Sequence, residues 1–286
     1  MSARLRRTGV GLATLLVALG VRAGEARADQ GQLLMTGGAS MLEGSAGGGL
    51  VPWAVLSGYG TEDGIGGSIG LTRARVDDYT LDVYAGSVTL WNRMEVSLAH
   101  HRFDAQPFDT VLRQNVLGLK LRLFGDFVYT SWPQVSAGVQ LKHNLDFDLP
   151  EAVGARRRSG VDGYLSASKL FLGGFFGYNL SLSGTLRATR ANQMGLLGFG
   201  GDRRGGHRLV FEGSAALLLN RRTAIGYEYR QKPDNLRFAT EDAFQDVFLA
   251  YFLNKRLSLV AAYTALGSVA TFDAQDGWYL SLQGSF

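Results

Sequence analysis

The 286-residue chain has no cysteine, which excludes disulfides, thiol nucleophiles and cysteine-ligated metals and leaves burial and hydrogen bonding to stabilise it. Proline is scarce, with five residues, and no long stretch repeats the apolar period of an amphipathic helix. A helix that crosses a bilayer needs about 20 apolar residues. The apolar run from Val10 to Val21 is too short for that. It follows Arg4, Arg6 and Arg7 and precedes the small-x-small site Ala26-Arg27-Ala28, the layout of a secretory signal peptide over residues 1–28 that is removed before Asp29.

An excess of positive charge is also lacking once that leader is set aside. Arg4, Arg6, Arg7, Arg22, Arg27 and Glu25 belong to it, and taking them from 29 basic and 25 acidic residues leaves 24 of each. A neutral mature chain gives no electrostatic reason for a nucleic-acid partner. What the chain has in quantity is glycine, 39 residues, which weakens helices and suits tight turns and curved strands. No linker or change of composition divides the roughly 258 residues that remain, so residues 29–286 read as one domain.

The last strand shows the pattern most clearly. Successive side chains of a strand point to opposite faces, so Trp278, Leu280, Leu282 and Phe286 share one face and Ser281, Gln283 and Ser285 the other. A closing strand that ends on an aromatic resembles the C-terminal signature by which bacterial outer-membrane barrels are recognised, which makes the barrel-insertion machinery an expected partner through Phe286. The period of two recurs over 32–41, 53–60, 65–76, 79–90, 94–103, 111–123, 132–143, 160–171, 178–189, 208–219, 223–232, 245–253, 257–267 and 277–286. These fourteen segments, an even number, predict an all-β, closed antiparallel transmembrane β-barrel; twelve strands with an N-terminal segment in the lumen is the alternative. Connections at 61–64, 91–93, 124–131, 172–177, 220–222 and 254–256 fall on the side of the C-terminus. Mostly longer ones at 42–52, 77–78, 104–110, 144–159, 190–207, 233–244 and 268–276 fall opposite, the asymmetry of short periplasmic turns and long outer loops.

Faces can be assigned within several strands. Leu117, Leu119, Leu121 and Leu123 oppose Gly118, Lys120 and Arg122; Leu180, Leu182 and Leu186 oppose Ser181, Ser183, Thr185 and Arg187. Val135, Val139 and Leu141 oppose Ser136, Gln140 and Lys142, and Ile225 and Tyr227 oppose Gly226, Glu228, Arg230 and Lys232. The apolar sets are expected to face lipid; in a soluble sandwich they would instead pack against each other. Tyr59, Trp91, Phe124, Trp132, Tyr178 and Trp278 lie near strand ends, where interfacial girdles sit.

Several stretches are distinctive: 36–40 (TGGAS), 43–53 (EGSAGGGLVPW), 195–203 (GLLGFGGDR), 232–236 (KPDNL) and 270–272 (ATF). Together they make the chain, from about Leu33 to Phe286, resemble a proteobacterial outer-membrane family catalogued as domain of unknown function 3034. The resemblance implies an outer-membrane barrel and brings no catalytic residues.

Chemistry has little support. The loop Gly198 to Gly206 is rich in glycine but is followed by neither Gly-Lys-Ser/Thr nor a helix, so a phosphate cradle is not indicated. His100 and His101 point to opposite faces and cannot chelate one ion, while His143 and His207 stand alone near outer ends. No serine sits in a nucleophile motif, and no cofactor is expected. Arg156, Arg157 and Arg158 in one outer loop and Arg203 and Arg204 in another are candidates for binding the phosphates of lipopolysaccharide. The inward charges Glu95, Lys120, Arg122, Lys142, Arg187, Glu212, Glu228, Arg230 and Lys232 are the candidate lumen lining, with Glu95 near Arg122 at the periplasmic end and Arg187 near Glu212 at the outer end.

These readings converge on a monomeric or weakly associating, porin-like barrel, not an enzyme, that passes small hydrophilic solutes by passive diffusion. The excess of basic over acidic lumen residues predicts weak anion preference. Two other readings stand beside it. One is a gated carrier of hydrophobic compounds with Gly37 to Gly49 as an internal plug, favoured by an apolar pocket beside that segment. The other is a structural envelope protein without transport.

Overall fold

A period of two becomes a cylinder when every strand finds two partners. In the computed structural model, which describes residues 34–269, 271–272 and 274–286, twelve antiparallel strands do so. They are β1 Ile65–Val76, β2 Tyr79–Leu90, β3 Met94–Ala105, β4 Thr110–Phe124, β5 Gln134–Asn144 and β6 Ser159–Phe175. The remainder are β7 Tyr178–Thr189, β8 Arg208–Leu218, β9 Thr223–Arg230, β10 Phe244–Phe252, β11 Leu257–Ala265 and β12 Asp276–Ser285. Each pairs with the next, and β12 pairs with β1 from Gly277 opposite Val76 to Ser285 opposite Ser68. No edge is left in the wall, which is the condition for a sheet in hydrocarbon. Phe286 completes the seam: its carbonyl accepts the amides of Gly67 and Tyr59 (both 3.1 Å), and its own amide donates to Gly67 (3.0 Å).

The faces follow the alternation. Leu117, Leu119, Leu121 and Leu123 on β4 are each 42–44 % exposed on the outside. Such a coat of leucine around a whole cylinder is far larger than the apolar patches of soluble proteins, and only lipid removes its penalty. The soluble reading would bury these residues and is excluded. The chain is an outer-membrane β-barrel. Trp91, Phe124, Trp132, Tyr178 and Trp278 are exposed at strand ends, as a girdle requires, but Tyr59 is buried inside.

The expected fourteen strands become twelve at the N-terminus. Neither 34–41, the described part of the first expected strand, nor 53–60 joins the wall, and 42–52 is not an outer loop; residues 34–60 fold inside the barrel and are almost entirely buried. Glycines at 37, 38, 44, 47, 48 and 49 deprive this stretch of alternating side chains. Gly38 and Gly44 take φ of +66° and +91°, a region open to glycine but strained for other residues. Within it form a two-residue ladder, Ala39–Ser40 with Ala46–Gly47, and one further antiparallel bridge, Gly47 with Pro52. Two segments left the wall together, so the even count survives. The signal peptide lies outside the described residues, as does the start of the first expected strand.

Outer connections at 145–158, 190–207, 231–243 and 266–275 are long, and the opposite ones at 91–93, 176–177, 219–222 and 253–256 short. The first of these outer loops carries a single short helix, α1 Asp148–Ala152.

Candidate functional site: a plugged lumen

A segment with almost no ladder of its own must take hydrogen-bond partners from elsewhere. Residues 34–60 take them from the inner wall. The amides of Ala46 and Ser57 donate to Glu95 on β3 (3.2 and 2.8 Å), those of Gly49 and Leu50 to Glu228 on β9 (both 2.6 Å), and that of Ser40 to Gln283 on β12 (2.6 Å). Lys120 on β4 donates to the carbonyls of Ala46 and Val55 (2.8 and 2.9 Å). Gln134 and Ser136 on β5 both donate to Ala54 (2.6 Å), Thr185 on β7 to Pro52 (2.8 Å) and Arg230 on β9 to Leu50 (3.0 Å). His101 Nε2 lies 2.7 Å from the Leu42 carbonyl. Partners on β3, β4, β5, β7, β9 and β12 surround the segment. It is a plug tied to the wall around the circumference.

The strongest tie is ionic. Glu43, fully buried, contacts Lys142 on β5, Arg187 on β7 (3.3 Å) and Arg230 on β9 (2.9 Å). Each of those cations also holds a wall carboxylate: Lys142 meets Asp162 (2.6 Å), Arg187 meets Glu212 (2.5 Å) and Arg230 meets Glu212 (3.4 Å). The Arg187 guanidinium also lies 5.1 Å from the Tyr164 ring centroid. Buried charges persist only when paired and hydrogen-bonded, and this network pairs them across the lumen. Strands that never touch one another are joined through one side chain of the plug.

All of the inward charges expected from the strands do face the lumen, but their pairing differs in places. Glu95 stands opposite Lys120 in register, 3.4 Å away, rather than beside Arg122. Arg122 lies two residues further toward the periplasm and pairs with Asp126 (3.2 Å). Arg187 and Glu212 pair as expected. Lys232 lies beyond the end of β9 and is buried against Glu241 (3.0 Å). Burial pushes the Glu241 carboxyl up and the Lys232 amine down, and their contact opposes both shifts. Glu43, Asp162 and Asp246 were not in the expected set, and adding them brings acids level with bases. The basis for anion preference is thereby lost. Asp162 and Asp246 were detectable, since they share the even-numbered parity of Ser166 and Phe248 on their own strands; Glu43, in a stretch without period, carried no such signal.

His101 faces inward and His100 outward, where its Nδ1 lies 2.7 Å from Asn115. Arg156, Arg157, Arg158, Arg203 and Arg204 are exposed on the outer loops; Arg203 contacts Asp234, and Arg158 lies over the Phe147 ring.

The glycine-rich loop after β7 folds into the barrel mouth. Residues 191–201 are buried, and their carbonyls at Met194 and Leu196 accept from Lys142 (3.3 Å) and Asn144 (3.2 Å). Its amides are engaged internally, Gly198 on Gly195 (2.9 Å) and Gly200 on Arg190 (2.7 Å), so they form no phosphate cradle. Gln193 and Met194 both adopt the left-handed region, φ 46° and 58°, conformations that cost on the order of 1–3 kcal/mol each. This lid and the plug enclose a chamber of about 70 Å³ lined by Leu42 and Leu50 of the plug, Met194 and Leu197 of the lid, and Phe103 and Leu112 of the wall. Below the plug, toward the short turns, a second cavity of about 800 Å³ is lined chiefly by apolar residues including Met35, Trp53, Phe127 and Phe248.

A family model described as Protein of unknown function (DUF3034) matches residues 36–283. No curated protein matches the sequence. Among solved structures, the KdgM porin is similar at 15 % identity, covering 77 % of this chain and 99 % of its own, with a TM-score of 0.50. The NanC porin, at 10 % identity, covers 76 % and 98 % with a TM-score of 0.49. The outer membrane protein Omp33 of Acinetobacter baumannii, at 9 % identity, covers 77 % and 97 % with a TM-score of 0.49. At these identities the likeness is one of fold.

Proposed function

The chain belongs to the DUF3034 family, and from that premise we propose that it is a gated, porin-type channel, closed by its own N-terminal segment and suited to small apolar or amphipathic solutes. The observation that carries this reading is the pair of apolar cavities on either side of a polar, plugged waist. A plug that only braced the wall would need no hydrocarbon-lined space above and below it. Passage of hydrophilic solutes is the second reading, favoured by the charged ring of Lys142, Arg187, Glu212 and Arg230, which lines the waist once the plug withdraws. Either way the chain supplies a path and no chemistry.

Uptake separates the two. Cells carrying the protein should accumulate a hydrophobic fluorescent naphthylamine faster than cells lacking it, while proteoliposomes should show no gain in swelling with sugars. Sugar swelling without faster dye uptake would favour the hydrophilic reading and overturn the first.

Two partners are part of the proposal. The exposed arginines 156–158, 203 and 204 are suited to contact phosphates of the outer leaflet, and glutamine at all five should raise sensitivity to detergent if they do. The C-terminal strand ending at Phe286 is the segment proposed to meet the insertion machinery.

A further inference from the structure

The outer chamber is not wholly hydrocarbon. Five polar side chains line it: Tyr79 on β2, Gln193 of the lid, Asp246 on β10, Thr264 on β11 and Tyr279 on β12. Three are engaged: Tyr79 donates to the carbonyl of Val269 (3.3 Å), Gln193 meets Lys232 (3.3 Å) and Glu241, and Thr264 donates to the carbonyl of Gly277 (3.4 Å). The other two are not. Oδ1 of Asp246 has no hydrogen-bond partner among the described residues, and the hydroxyl of Tyr279, on the same face as Ser281, has none within 3.5 Å, although each residue is only 3 % exposed.

Asp246 also lacks a counter-cation. Its register partner on β9 is Glu228, a second carboxylate, which already accepts the plug amides of Gly49 and Leu50. Arg230 is engaged by Glu43 and Glu212, and Lys232, 4.2 Å from the centroid of the Phe244 ring, pairs with Glu241. No salt bridge to Asp246 forms among the described residues. A buried carboxyl beside another carboxylate, in apolar surroundings and without a donor, is an arrangement that a cationic donor would relieve.

We propose that the chamber binds small organic ammonium ions. The protonated amine donates to Asp246 Oδ1 and to the Tyr279 hydroxyl oxygen, and the apolar tail lies against Leu42, Leu50, Phe103 and Leu112. The proposal rests on reading the lumen as a passage for amphipathic solutes and names their head group. A water-sized group needs about 10–15 Å³, so a chamber of about 70 Å³ admits a tail of a few carbons. The tail meets the plug at Leu42 and Leu50, and the head group meets Asp246, the register partner of the Glu228 that holds the plug amides.

The test is calorimetric titration of the full mature protein in micelles with n-butylammonium chloride, set against ammonium chloride, butyrate and butan-1-ol. The amine should bind saturably and the three controls at least tenfold more weakly. Asp246→Asn, checked for folding by heat-modifiable gel migration, should lose about tenfold or more in affinity. Tyr279→Phe should lose a few-fold. Butyrate or butanol binding as well as the amine, bare ammonium binding as well, or a folded Asp246→Asn with unchanged affinity would overturn the site. If Asp246→Asn does not fold, the ligand comparison on the native protein decides. Binding is read with the plug in place, so a protein that takes the amine but fails to speed dye uptake refutes the passage and leaves the site standing.

Discussion

Glu43 carries more of this account than any other residue. It is the one acid of the plug that meets three wall cations, and each of those cations is itself sealed from solvent. Removing one partner of a buried ionic group leaves uncompensated charge, which costs about 3–5 kcal/mol. Glu43→Gln should therefore lower the free energy of unfolding measured by urea titration by an amount in that range, whereas a loop change such as Glu62→Gln should leave it unmoved; an unchanged value for Glu43→Gln would show that the ring does not depend on its centre. Gly48 marks the same dependence sterically. A Cβ there would stand 1.9 Å from Glu228 Oε1, so even alanine would require the Glu228 carboxylate to move from where it holds the plug amides. At this scale the sequence was partly legible. Lys120, Lys142, Arg187 and Glu228 betray themselves by alternating with leucine or tyrosine, because a strand converts parity into side. Glu43 does not, because parity means nothing in a stretch of glycines. Its role exists only after 99 residues of chain bring Lys142 back across the lumen.

The elements divide in the same way. Strands such as β4 and β7 were readable because lipid outside and water or plug inside impose opposite demands on neighbouring positions. The plug answers to a different rule. It satisfies its backbone through side chains spread over half the wall, and no local period records such an arrangement. What the sequence did show was the glycine excess at 37–49 and the option of twelve strands with the N-terminus inside; the choice between wall and lumen depended on contacts far apart in the chain. If the plug gates, tethering it should hold the channel shut. The chain has no cysteine, so a pair can be introduced cleanly. Ser57 Oγ of the plug and Thr89 Oγ1 of β2 are 3.1 Å apart, which suits Ser57→Cys with Thr89→Cys. Oxidised protein should fail to speed dye uptake and reductant should restore it. Equal uptake in both states would mean that solutes cross without the plug moving at that point.

For the whole molecule, the wall and its filling are separate achievements. Closure of β12 on β1 removes every edge and makes the cylinder self-sufficient, so the plug is not needed to complete the sheet. It does touch the seam, since the amide of Tyr59 donates to the carbonyl of Phe286, and this contact ties the exit of the plug to the last residue of the chain. Occlusion is thus a property separate from closure of the sheet. The direct measurement is single-channel recording in planar bilayers of the native protein beside a variant lacking residues 36–49. Occlusion by the plug predicts a native protein that is closed nearly all the time and a deletion variant that shows frequent, discrete conductance steps. A native protein that conducts steadily, with a deletion variant no more conductive, would contradict it.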